Sequence, residues 1–238
     1  MAKRSFDIIF ALIAIAMTLA IVVIAGLLIW AQDGHWPLYR GLRVGRHGRD
    51  FGMLKLRTMV PEGDRKGGSS TAASDARLTP LGAALRKFKV DELPQFWNVL
   101  AGQMSVVGPR PNVRSGGVDR YTQQERELLR LRPGITDIAS IVFSDEGEIL
   151  KGSADPDAMY EQLIRPWKNR LGLLYIEHCS LGLDVELIAL TILNLIARRA
   201  VLHRIDAILH RWNASGELRH VCARSAPLPA GLPPGQIA

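Results

Sequence analysis

Between Arg77 and Pro111 the chain packs Arg86, Lys87, Lys89, Asp91, Glu92 and Arg110 into a short span. An adjacent carboxylate pair among cations has a definite chemical use. One carboxylate can attack phosphorus and hold it covalently. The other can bind Mg²⁺, which takes oxygen ligands and often bridges to substrate phosphates. Nearby arginines and lysines can neutralise the charge spread over a transferring phosphoryl group. If Asp91 begins a helix, the unpaired N–H groups there also favour anions. The same residues fit a purely structural role, with Asp91 as an N-cap and Glu92 as a first-turn acid complementing the helix dipole. An Asp-Glu pair is too common to decide between the two by itself.

Other chemistries find less support. His35, His47, His178, His203, His210 and His220 show no metal-ligand spacing. Gly41, Gly45 and Gly48 match neither a P-loop nor a dinucleotide fingerprint. Cys179 and Cys222 form no disulfide framework, which fits a reducing compartment. No Ser-His-Asp arrangement can be argued. The 238 residues carry 30 Lys and Arg against 23 acids, a net charge of +7 that suits an anionic partner. A nucleic-acid-binding role has only that charge in its favour, because no recognition motif or aromatic stacking pattern accompanies it.

The elements that must position the pair are legible in outline. Phe51 to Arg57 alternates weakly, as a strand would. Gly63 to Ala76 is small and polar and is expected to be a mobile loop. Thr79-Pro80 reads as an N-cap followed by a first-turn proline, and Leu81, Ala84, Leu85 and Phe88 predict one buried helical face. A second helix is expected from about Asp91 to Leu100, ended by Gly102. Ser105 to Pro111 reads as a loop with a stiff Pro109-Arg110-Pro111 core. Tyr121 to Leu131 reads as a charged helix, Ile135 to Phe143 as a short apolar strand, and Asp157 to Glu177 as helix interrupted at Pro166. Leu181 to Arg211 mixes aliphatic residues with Arg198, Arg199, His203, Arg204 and Arg211. It could lie on a membrane surface or pack into a core with a solvated basic end. The Pro-, Ala- and Gly-rich segment 213–238 is expected to be a disordered tail.

The strongest compositional event is the start of the chain. Ile8 to Ala31 carries no charge, and about 20 apolar residues suffice to cross a bilayer. A buried helix of a soluble protein is the alternative. Lys3 and Arg4 precede the run, and Arg40, Arg43, Arg46 and Arg49 follow it. Positive residues favour the cytoplasmic side, so both flanks prefer one side. A segment that dips in and returns satisfies both, although no proline breaks this run. The arginines of 40–49 are expected to lie near anionic headgroups or in a solvated loop.

Five motifs then occur in one order: Lys3-Arg4-Ser5-Phe6-Asp7, Lys55-Leu56-Arg57-Thr58-Met59, Asp91 through Leu100, Met104 through Pro111, and Arg132-Pro133-Gly134-Ile135-Thr136. This series resembles the bacterial sugar transferases, the monotopic polyprenyl-phosphate phosphoglycosyl transferases, over roughly residues 3 to 195. The resemblance implies a mostly α fold with minor β. A re-entrant membrane helix would occupy 1–36, and a small cytoplasmic catalytic globule with interfacial amphipathic helices 37–212. It implies an Mg²⁺-dependent enzyme of the bacterial inner membrane, its catalytic domain facing the cytoplasm. Asp91 would attack the sugar-bearing phosphate of a UDP-sugar and expel UMP, and Glu92 would ligate Mg²⁺. Polyprenyl (undecaprenyl) phosphate would then take the sugar phosphate. Arg110, Arg86 and Lys55 match basic positions near the phosphates, with Arg132 a weaker candidate. Membrane lipids are implied partners, nucleic acid is not, and the oligomeric state stays open, a homodimer included. Family members break the membrane helix with a Ser-Pro pair, where this chain has Leu19-Ala20.

Overall fold

The apolar start of the chain forms a single unbroken helix, α1 (Ala2–Asp33), in the computed structural model, which describes residues 2–63, 68 and 70–236. The one hydroxyl in its middle, that of Thr18, donates back to Ala14 O at 2.7 Å, so no backbone break is needed to satisfy it. At 1.5 Å per residue α1 is about 48 Å long. Its central side chains, among them Leu12, Ile13, Met17, Leu19 and Ile24, are exposed, and it is the one described helix long and apolar enough to cross a membrane.

Both ends of α1 are tied to the same globule. Near the start, Arg4 donates to Val99 O and Leu100 O at 2.6 and 2.9 Å. Lys3 pairs with the buried Asp7 and Asp184, each at 2.9 Å. Asp7 also accepts from Ser105 Oγ and from Val106 N. At the far end, Ala25 and Ile29 pack on Leu56 and Leu85, and Asp33 takes a two-pronged bond from Arg57 at 2.6 and 2.7 Å.

Strands β1 (Leu38–Val44) and β2 (Asp50–Leu56) form an antiparallel hairpin that pairs Tyr39 with Lys55, Gly41 with Met53 and Arg43 with Phe51. Helix α2 (Pro80–Lys87) is capped by Thr79, which accepts from Gly82 N at 2.9 Å. Its buried face is Gly82 and Leu85, while Phe88, expected inside, is 62 % exposed. The reason is at Gly82, where a Cβ would come within 1.9 Å of Thr58 O. The helix presses its backbone on that carbonyl and turns its aromatic end outward.

The expected second helix starts later than its sequence suggests. Val90–Glu92 is a single 3₁₀ turn, and α3 (Gln95–Leu100) follows. Asn98 on α3 accepts from Leu54 N and donates to Gly52 O, which fastens α3 to β2. Gly102 at φ 78° then ends the segment.

Two regions read differently from their sequence patterns. Within 105–111, β3 (Ser105–Val107) pairs in parallel with β4 (Gly134–Thr136). The residues after β4 turn helical as α4 (Ile138–Val142), because Asp137 caps Ser140 N at 2.6 Å. In 121–131 only the 3₁₀ segment Glu125–Arg130 is helical.

The rest of the globule is helical: α5 (Glu146–Ile149), α6 (Pro156–Leu163), α7 (Arg165–His178), α8 (Leu181–Leu193), α9 (Arg198–Arg211) and α10 (Gly216–Ala223). Trp167, Tyr175, Ile138, Leu187 and Ile205 anchor its core. The architecture is therefore mostly α with two small two-stranded sheets.

The 181–211 stretch is two helices. In α9, Val201, Ile205, Ile208 and Leu209 enter the core, so this basic helix packs inward with a solvated charged face. The exposed apolar surface lies instead at Val185, Ile192 and the connector residues Leu195 and Ile196. Of the 63–76 loop, residues 64–67 and 69 lie outside the described residues. Its described part is docked, with Ser70 N on Asp157 at 2.7 Å and Ala73 N on Gly147 O at 2.8 Å.

The expected disordered tail is ordered through residue 236. Arg224 pairs with Asp145 at 2.9 Å, Trp167 Nε1 donates to Pro229 O at 3.1 Å, and Thr122 Oγ1 donates to Pro234 O at 2.6 Å. Proline stiffness and the apolar face of Trp167 replace the missing secondary structure.

Candidate functional site

Three separate elements converge on the Asp-Glu pair. Lys89, in a left-handed conformation (φ 58°), reverses the chain after α2 and delivers Asp91 and Glu92 in the 3₁₀ turn. Asp91 caps no helix, which removes the purely structural reading of that residue. β2 brings Lys55, whose Nζ reaches Glu92 Oε1 at 2.8 Å. The segment after β3 brings Arg110, which donates to the same Glu92 oxygen through Nη2 and to Ile135 O through Nη1 at 2.9 Å.

Two glycines make the Arg110 approach possible. A Cβ on Gly108 would lie 2.5 Å from Arg132 O, and one on Gly134 would lie 2.2 Å from Gly108 N. Gly134 N also donates to Pro109 O at 3.0 Å.

The neighbouring carboxylates have opposite electrostatics. For Glu92, burial raises the pKa, but Arg110, Lys55 and Lys89 outweigh it and hold the group well below the usual carboxylate range. For Asp91, burial and the Glu92 charge raise the pKa, and Lys55, Arg86 and Lys89 offset only part of this. Asp91 is 4 % exposed, and its Oδ1 has no hydrogen-bond partner among the described residues. A buried carboxylate oxygen left without a donor is costly and nucleophilic.

The structure gathers Asp91, Glu92, Lys55, Arg86 and Arg110. Arg86 donates from Nε to Thr58 Oγ1 at 2.9 Å and lies within Coulomb reach of both carboxylates, its own pKa lowered by burial. Arg132 is not part of the cluster. Its Nε donates to Gly102 O at 2.8 Å, so it ties the end of the α3 segment to the irregular segment that leads into β4.

Sequence reasoning missed four residues around the site. Thr58 supports Arg86 and gave no signal beyond its place in the Lys55–Met59 motif. Gln95, four residues after Asp91, is fully buried with both amide atoms unpartnered among the described residues. Only its burial marks it. Lys168 and Glu146 pair tightly beside Tyr160 and within Coulomb reach of Arg110, from a region with no motif.

Among the described residues no three His, Cys, Asp or Glu side chains gather into a metal cluster. Mg²⁺ does not need one, since it keeps several waters and takes one or two carboxylates plus substrate phosphates. The orphaned Asp91 Oδ1 and Glu92, whose two cations share one oxygen, fit such a partial site.

Known proteins are similar to this chain in sequence. The chain is 29 % identical over 216 residues to the "Uncharacterized sugar transferase EpsL" of Bacillus subtilis, covering 91 % of this chain and 98 % of that one. It is 36 % identical over 156 residues to the "Exopolysaccharide production protein ExoY" of Rhizobium meliloti, 59 % of this chain and 69 % of that one. It is 37 % identical over 199 residues to the "UDP-glucose:undecaprenyl-phosphate glucose-1-phosphate transferase" of Klebsiella pneumoniae, covering 80 % of this chain and 39 % of that one. The family model described as "Bacterial sugar transferase" matches residues 1–198, a span that holds the hairpin, the Asp-Glu turn and the Arg110 segment, and the chain therefore belongs to that family.

Proposed function

We propose that this transferase moves a sugar-1-phosphate from a UDP-sugar to undecaprenyl phosphate, releasing UMP, as a membrane step of polysaccharide synthesis. The observation that carries the reading is Asp91 Oδ1, buried and unpartnered within Coulomb reach of Lys55, Arg86 and Lys89. The printed name of the Klebsiella pneumoniae relative supports the donor and acceptor classes.

The steps follow from the residues. Asp91 attacks the sugar-bearing phosphorus, forming an acyl phosphate. The bond from that phosphorus to the bridging oxygen breaks, and UMP leaves with the oxygen and its electron pair. An oxygen of undecaprenyl phosphate then attacks the same phosphorus. The acyl-phosphate bond breaks, giving undecaprenyl diphosphate-sugar and the free Asp91 carboxylate. Lys55, Arg86 and Arg110 neutralise charge on the transferring group, and Arg110 also holds Glu92 in place. Mg²⁺, held by Glu92 with Asp91, would polarise the phosphate oxygens when bound.

The anchor serves the same reaction. Both ends of α1 are tied to one globule, which supports a helix held along one face of the membrane. The acceptor phosphate sits at headgroup level, and the globule is held there on the cytoplasmic side, where UDP-sugars are found. Binding at the interface makes the search for the lipid a local one.

The test is release of UMP by purified protein given Mg²⁺, undecaprenyl phosphate and a panel of UDP-sugars. One donor should support turnover, and Asp91→Asn should abolish it. Release of UDP instead, or full activity in Asp91→Asn, would exclude the proposed route.

A further inference from the structure

The inner face of the hairpin carries a cation with no assigned role. Burial alternates along β1: Leu38, Arg40 and Leu42 are exposed, whereas Tyr39, Gly41 and Arg43 point inward. Their cross-strand partners Lys55, Met53 and Phe51 lie on the same face. Arg43 therefore shares a surface with Lys55, which already contacts Glu92. Arg43 thus lies on the Lys55 face of the hairpin, whereas Arg40 lies on the exposed one.

Arg43 is held back toward the site. A Cβ on Gly41 would lie 3.4 Å from Arg43 Nη1 and 3.0 Å from Tyr39 Cε1, so both side chains fold over that glycine. This places the guanidinium about two residues, roughly 7 Å, along the strand from the Tyr39–Lys55 pair. Arg110 and Tyr160 are both within Coulomb reach of Arg43. Arg110 and Tyr160 also line one pocket with Asn112, Lys168 and Asn169.

Its bonding is incomplete. Among the described residues, the guanidinium donates only to Leu42 O at 2.8 Å and pairs with no carboxylate. Arg43, within Coulomb reach of Arg110 and without a counter-ion among the described residues, is suited to bind an anion.

We propose that Arg43 binds the phosphate on the nucleoside side of the donor, the phosphate that leaves as UMP. This rests on the transfer reading above. The phosphate under attack must lie over Asp91, within reach of Lys55 and Arg110. The second donor phosphate is the next anion along, and Arg43 is the next cation along the same face. The acceptor lipid carries one phosphate, which must reach Asp91 only after UMP has left. Attack in line with the departing Asp91 carboxylate puts the acceptor phosphate in the place UMP vacates, so Arg43 binds the leaving group first and meets the acceptor second.

The experiment measures UMP binding by calorimetry on the full chain in detergent, alongside KM for the donor and for undecaprenyl phosphate. Arg43→Gln should weaken UMP binding by about tenfold or more and raise donor KM similarly. Arg43→Lys should recover part of the loss. Gly41→Ala keeps the charge but crowds Nη1, and should also weaken UMP. It guards against Arg43→Gln failing to fold. Unchanged UMP binding in both Arg43→Gln and Gly41→Ala would overturn the proposal, as would a change confined to acceptor KM. A wild-type chain that binds no UMP would overturn it as well. If UMP binding depends on Arg43 but no UDP-sugar is turned over, this proposal stands and the transfer reading falls.

Discussion

Glu92→Gln separates the two carboxylates of the site most cleanly. The Glu92 side chain is 12 % exposed and neutralises Lys55 and Arg110, which are 22 % and 27 % exposed. The amide keeps the shape and removes the charge, leaving two cations facing each other. Removing one partner of a buried pair costs about 3–5 kcal/mol. Water reaches a quarter of each cation, so the low end applies, about 3 kcal/mol. In a chain of this size each kcal/mol moves Tm by about 2–4 °C, which gives a fall of about 6–12 °C. The pH dependence has a definite sign. A carboxyl whose folded pKa is depressed adds stability above its unfolded pKa and loses it as pH falls through the folded value. The gap between wild type and variant should therefore hold from pH 7 to about pH 5 and narrow below about pH 4. The assay is thermal unfolding in detergent across that range. A Tm within about 2 °C of wild type at pH 7 would refute the ion-pair account of Glu92.

Three further outcomes follow from the same geometry. Asp91→Asn should have the opposite stability sign. The Asp91 pKa is raised, so its charge costs stability at neutral pH, and the variant should melt no lower than wild type while losing turnover. Arg110→Ala should lower kcat by about a hundredfold or more, whereas Arg132→Ala should leave donor KM unchanged, because Arg132 bonds Gly102 O and not the carboxylates. Gly82→Ala would gain up to about 1 kcal/mol from helix propensity in an open site. Here it should lower both Tm and activity, since the methyl meets Thr58 O and displaces Arg86; a higher Tm would count against this packing.

What could be read from the residues divides along physical lines. The anchor, the Thr79-Pro80 cap and the Pro166 interruption were legible because each rests on local chemistry: apolar length, a hydroxyl acceptor, a missing N–H. Lys55 and Arg110 were legible through ordered motifs, and Arg86 through the family resemblance. Arg132 belonged to an equally clear motif, yet its guanidinium faces a carbonyl, and motif membership does not distinguish a ligand from a brace. Phe88 was misassigned because a backbone contact at Gly82 rotated the helix, which no hydrophobic pattern encodes. The tail was misassigned because its order depends on Trp167, far off in sequence. Arg43 was grouped with its exposed neighbours because the strand alternation that separates it from Arg40 is visible only once the hairpin register is known.

The central claim is a sugar phosphate carried on Asp91, and it has a direct test. The purified protein is mixed with its UDP-sugar and Mg²⁺ without undecaprenyl phosphate, then quenched, and both UMP and the protein mass are measured. The account predicts a burst of UMP stoichiometric with enzyme and a matching sugar-phosphate adduct on the peptide that contains Asp91. Turnover that releases UMP only when undecaprenyl phosphate is present, with no adduct on that peptide, would contradict it.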